Sequence, residues 1–138
     1  CRMEEKDRWG VLVREDSPLT RKEYIEPADL MGISLVTGSR DFHGELIRWF
    51  GELYDKLEIA AVGNLLYNEA MLVGNGMDAV PCIRLNCRYE NLRFIPLHPP
   101  VESRTALIWK KDAVFSRATA AFIDTIAQYL KAISGDKI

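Results

Sequence analysis

The sequence predicts an α/β fold: an open, mixed and mostly parallel sheet flanked by helices. Two observations carry this expectation. Short apolar runs of strand length alternate with amphipathic runs of helix length, the pattern left by βαβ crossovers. Breakers such as Gly38-Ser39, Gly63-Asn64 and Gly74-Asn75-Gly76 fall between those runs and not inside them. The 138 residues suffice for one core and show no internal repeat or low-complexity tract.

Residues 8–14 (RWGVLVR) form a first strand, stopped by the turn-forming Asp16-Ser17-Pro18. Pro27 at a first helical position and Gly32 just past the end frame a one-turn helix around 28–31. A short buried strand follows over 33–36. After Gly38-Ser39 comes an amphipathic helix with Leu46, Ile47, Phe50, Leu53 and Tyr54 on one side. Residues 57–62 read as a strand and 65–73 as a second helix, ended by Gly74-Asn75-Gly76 as a left-handed C-cap. A strand over 77–83 carries Pro81, which lacks a ladder donor and so points to an edge or a distorted position.

The stretch 86–91 is a polar loop. A short strand over 92–97 leads into a turn stiffened by Pro96, Pro99 and Pro100, through which no strand or helix passes. A longer strand over 105–111 is followed by Ser116, whose hydroxyl can cap a helix start. Ala118, Phe122, Ile126, Tyr129, Leu130 and Ile133 then share one helical face.

Composition narrows the function. With 48% hydrophobic and 28% charged residues the chain reads as an ordinary globular domain. A net charge of −2 argues against a self-sufficient nucleic-acid binder, which needs a basic face to neutralise phosphates. No apolar run approaches the ~20 residues of a membrane span, and the charged start, CRMEEKDRWG, carries no signal-peptide core. The first residue is Cys1 and not Met, so a piece of a longer polypeptide is expected. Cys1, Cys82 and Cys87 are odd in number and lack C-x-x-C spacing, which disfavours a disulfide framework or zinc site and favours a reducing, cytoplasmic setting. His43 and His98 have no second ligand at metal spacing. No metal and no cofactor is expected.

Catalytic signatures are scarce. There is no Gly-x-Ser-x-Gly elbow and no carboxylate pair set apart as acid and base. A Ser39–His43 dyad is conceivable, but a serine at a helix start is more commonly a cap. The chain is read as a non-enzyme. Two loops invite a ligand: Thr37, Gly38, Ser39, Arg40 and Asp41, and Gly63 with Asn64. Each leaves the carboxyl end of a strand and opens onto a helix, where free N–H groups favour an anion. Ser39 and Asn64 could equally be plain caps.

The end of the chain carries a resemblance. Strand, Pro96-Leu97-His98-Pro99-Pro100, strand reaching Trp109-Lys110-Lys111, then Phe115-Ser116 and a helix is similar to the close of the effector-binding region of LysR-type transcriptional regulators. Trp9-Gly10-Val11-Leu12-Val13 with Asp16-Ser17-Pro18-Leu19 resembles the strand leaving that region's first lobe. Glu26-Pro27-Ala28-Asp29-Leu30 resembles its "Pro-x-Asp-Leu" helix. Gly74-Asn75-Gly76-Met77-Asp78-Ala79-Val80-Pro81 resembles its "Gly-x-Gly-Ile-Ala-Leu-Leu-Pro" segment. Asp78 departs from that pattern; its carboxylate either faces solvent, the favoured reading, or marks a polar contact particular to this protein.

The resemblance implies a periplasmic-binding-protein-like lobe. Residues 1–138 would be a partial effector-binding domain: a second lobe over about 15–104, crossing strands 9–14 and 105–111, and a returning helix over 116–133. Val13, Arg14, Ile108 and Trp109 would sit at the hinge. The DNA-binding helix-turn-helix lies outside the chain, so DNA is reached only through the intact protein. The implied function is sensing of a small, anionic metabolite in the cytoplasm, with a homodimer or higher homo-oligomer as the working state and no membrane partner. The alternative is a solute-binding lobe of a transporter.

Overall fold

The structure is a computed structural model, and it describes residues 2–38 and 44–133. Its strands are β1 (Arg2–Arg14), β2 (Ser34–Gly38), β3 (Glu58–Gly63), β4 (Ala79–Ile83), β5 (Leu92–Pro96) and β6 (Glu102–Ala106). Its helices are α1 (Glu45–Phe50), α2 (Leu66–Gly74) and α3 (Arg117–Ile133). The chain divides into two compact units. The larger is Arg8–Glu102, against the 15–104 expected for the second lobe; the smaller holds the residues up to Asp7 and those from Ser103 on.

In the larger unit the strand order is β3-β2-β4-β1-β5. β2 runs parallel to β3 and to β4, while β1 is antiparallel to both β4 and β5. The sheet is therefore open and mixed, with a larger antiparallel share than the sequence suggested.

Alternation along the strands builds a core on each face. Val11, Val13, Leu35, Ala79 and Ile95 point to one side, where they meet Ile25, Leu30, Leu46 and Phe50. Leu12, Val36, Val80 and Cys82 point to the other, where Ala70 and Val73 of α2 cover them. Gly10 lets the sheet close: a Cβ there would lie 2.3 Å from Phe94 Cζ and 2.5 Å from the Ile95 carbonyl oxygen.

Several sequence expectations shift. The helix after residue 43 is split, because Gly51 takes a φ of +56° and ends α1; a 3-10 turn, Gly51–Lys56, completes it. Leu46 and Phe50 are buried as expected, but Ile47 is exposed. Pro81 lies in an interior strand and not at an edge. The β2–β4 pairing is confined to Leu35 and Ala79, so Pro81 sits where that ladder has already ended. Pro96 closes β5 and its carbonyl accepts from Ile25 N at 2.9 Å, so the strand does reach the first proline.

Asp78 is half-buried and bonded to Ser34; the solvent-facing reading fails because the carboxylate supplies an acceptor at the start of β2. At the α2 exit the residue with positive φ is Gly76, at +128°, while Asn75 is the C-cap.

In the smaller unit β6 pairs with β1. The strand expected over 105–111 is instead Glu102–Ala106, and residues 107–116 form no regular element. Ile108 is 86% exposed, so this apolar stretch is not covered as a buried strand would be. Ser116 caps α3 as the sequence implies, its Oγ accepting from Thr119 N at 3.2 Å.

Candidate functional site

Parallel pairing of β2 and β3 sets the geometry of the candidate site. Thr37 lies opposite Val62 and Gly38 opposite Gly63, so both strands end in glycine at the same edge of the sheet. Thr37 is 3% exposed, held inside the sheet, while Asn64 beyond Gly63 is exposed. The structure thus brings Thr37, Gly38, Gly63 and Asn64 to one rim. Ser39, Arg40 and Asp41, and with them the Ser39–His43 pair, lie outside the described residues.

Asn64 does not cap α2. The N-cap is Leu65, with no side-chain bond, and its carbonyl accepts from Asn68 N and Glu69 N at 3.0 and 3.2 Å. Glu69 is 2% exposed, and a Cβ on Gly63 would lie 2.5 Å from its Oε1. Glycine at position 63 therefore makes the space that this carboxyl group occupies. Sequence periodicity could not find Glu69: a glutamate in a first helical turn reads as a solvated dipole partner.

Next to this rim lies a second feature that the sequence reading passed over. The loop after β4 folds back over the sheet, and with Leu12, Leu66, Leu92 and Phe94 it encloses a cavity of about 600 Å³. Tyr89 anchors the loop against α2, its ring 6.4 Å from that of Tyr67. Burial, then a hydrogen bond and the charge of Cys87, with Cys82 and Glu69 adding to it, push the Tyr89 hydroxyl above its ordinary pKa.

The hinge candidates fall on either side of the unit division. Val13 is fully buried in the sheet. Arg14 is half-buried, its Nη1 donating to the carbonyls of Val73 at 3.0 Å and Met77 at 2.6 Å. Arg14 thereby ties the end of β1 to the C-terminal exit of α2, where a cation complements unpaired carbonyls. Ile108 and Trp109 lie in the irregular segment after β6. Among the described residues no group of three or more His, Cys, Asp or Glu side chains is placed to hold a metal ion. No helix among them is long and apolar enough to cross a membrane.

The open, mixed sheet flanked by helices has the periplasmic-binding-protein-like fold. The chain belongs to the LysR substrate binding domain family, whose pattern it matches over residues 5–131. Solved structures agree on the fold. The effector binding domain of QuiR in complex with shikimate is 22% identical with a TM-score of 0.77, over 92% of this chain and 63% of that one. HinK, a LysR family transcriptional regulator from Pseudomonas aeruginosa, is 18% identical with a TM-score of 0.68, over 91% of this chain and 45% of that one. Full-length CbnR complexed with its target DNA is 15% identical with a TM-score of 0.65, over 90% of this chain and 45% of that one. The chain therefore spans about half to under two thirds of the length of these structures. No curated protein sequence matches it.

Proposed function

We propose that this chain is the effector-sensing part of a bacterial LysR-type transcription regulator that acts in the cytoplasm. The observation that carries the reading is the paired ending of β2 and β3 at Gly38 and Gly63, at the end of the sheet where such sheets take ligands. A small, anionic metabolite is the proposed effector, held by Thr37 to Asp41 on one side and by Gly63 and Asn64 on the other. The domain binds and does not catalyse. An effector acts by favouring one arrangement of the intact regulator, since only differential affinity shifts such an equilibrium.

The crossing segments are the hinge in this reading. Division of the chain after Asp7 and after Glu102 supports a hinge on the N-terminal side of both expected pairs, Val13–Arg14 and Ile108–Trp109. DNA is reached through a helix-turn-helix elsewhere in the protein. The working form is a homo-oligomer. β3 is an edge strand that exposes Ile59 and Val62, an apolar edge suited to a second copy.

The test is a thermal-shift screen of the chain against small organic acids, including shikimate, the ligand of the similar QuiR domain. A stabilising acid whose effect is lost in Asn64→Ala supports the reading. Absence of any stabilising acid, or indifference to that substitution, opposes it.

A further inference from the structure

We propose a second ligand site, for an organic acid with an apolar body, in the cavity beneath the loop that follows β4. The proposal does not need the rim of β2 and β3.

The cavity has a floor and a charged wall. Its floor is apolar: Leu12 and Phe94 come from neighbouring strands of the sheet, Leu66 from the first turn of α2. The ring of Phe94 packs over Gly10, where a Cβ would lie 2.3 Å from its Cζ. Arg84 and Arg88 line the cavity, and Glu15 is the one carboxylate residue among its lining. That is a local excess of positive charge in a chain whose net charge is −2.

Those cations are not consumed by the fold. Arg93 is not one of them: it is in register with Val13, on the face away from Phe94, and donates to the Thr20 carbonyl at 3.2 Å. Arg84 lies over the Phe94 ring, 5.9 Å from its centre. Among the described residues neither Arg84 nor Arg88 has a side-chain hydrogen bond or ion pair. An ordinary solvated arginine needs no apolar floor beside it. Here two guanidinium-bearing residues, each able to grip a carboxylate by two parallel N–H bonds, line a cavity of about 600 Å³ with an apolar floor. That volume is in the range of small-molecule sites, ~300–1,000 Å³. An acid with a ring or short chain would bury its apolar part on Leu12, Leu66 and Phe94 and keep its carboxylate at the arginines.

The test uses the chain as it stands, with 2-naphthoate as probe and 2-naphthalenemethanol as its uncharged counterpart, followed by backbone NMR. The acid is expected to shift amides of the loop from Arg84 to Tyr89 saturably, and to bind about tenfold more tightly than the alcohol. Arg84→Gln with Arg88→Gln should weaken the acid by about tenfold and leave the alcohol unchanged. Asn64→Ala, at the other rim, should leave the affinity for the acid unchanged. Equal affinity for acid and alcohol, no effect of the double substitution, or shifts centred on Gly38 and Gly63 would each overturn the proposal. If the double variant does not fold, the acid–alcohol comparison and the shift map on the unaltered chain decide alone.

Discussion

Asp78 Oδ2 accepts two hydrogen bonds from Ser34, one from its backbone nitrogen at 2.7 Å and one from its hydroxyl at 2.8 Å. In return Asp78 N donates to the Ser34 hydroxyl at 3.1 Å. The pair binds the first residue of β2 to the approach of β4, and so fixes the register that brings Gly38 to the rim. Asp78→Ala would leave those donors without an acceptor in a half-buried place. A loss of about 1–3 kcal/mol in urea-unfolding stability is expected. Asp78→Asn should lose less, since one acceptor oxygen survives.

Gly10→Ala tests the packing under Phe94. Its Cβ would meet the Phe94 ring and the Ile95 carbonyl oxygen at well under contact distance, and the carbonyl cannot move without breaking the β1–β5 ladder. Overpacking of this kind costs about 1–3 kcal/mol. A thermal midpoint equal to that of the unaltered protein would show that the two strands lie farther apart.

The pH response of one exposed turn can be worked out in sign. Burial, the largest single influence on Asp29, opposes its ionisation. The Lys22 ammonium at 2.7 Å and the Glu26 N–H at 2.9 Å together outweigh it and hold the carboxyl below its ordinary range. A lowered folded pKa means stability that is present above the unfolded value and lost as pH falls through the folded one. The urea midpoint of the unaltered chain should therefore exceed that of Asp29→Asn at pH 7, and the gap should close below about pH 4. A gap that widens in acid would reverse the assignment. Lys22, whose pKa is raised by the same bond, stays protonated throughout this window and contributes no change.

Association should follow the β3 edge. Val62 is 64% exposed on this strand, which pairs only with β2. In the smaller unit α3 buries Leu130 and leaves Phe122 57% exposed, so part of the face read from the sequence is already covered. Light scattering over a concentration series should show a dimer that Val62→Lys dissociates and Phe122→Asp does not. Dissociation by Phe122→Asp alone would move the interface to α3; a monomer at every concentration would remove it.

Much of the fold could be read along the chain because it depends on neighbours in sequence. The strand over 8–14, the break at Gly63 and the cap at Ser116 fell where the residues implied. Misplacements came where long-range geometry overrides pattern. The apolar run at Ile108 and Trp109 suggested a strand, but pairing ends at Ala106. Pro81 suggested an edge, but it fits inside the sheet because the β2–β4 pairing has already ended. At the rim Thr37, Gly38, Gly63 and Asn64 were legible from strand-exit logic. Glu69 was not, because only the fold lays its carboxyl group against Gly63. The basic cavity was hidden for the same reason, being assembled from β1, α2, β5 and a loop that sequence alone reads as polar filler.

The most direct test of the central claim, that the effector is held where β2 and β3 end, is a backbone NMR titration of the chain with an acid that stabilises it in the thermal screen. The account predicts saturable shifts at Thr37, Gly38, Gly63 and Asn64, with Asn64→Ala weakening binding by about 1 kcal/mol or more. Saturable shifts confined to residues away from that rim, with Asn64→Ala binding as tightly as the unaltered chain, would contradict it.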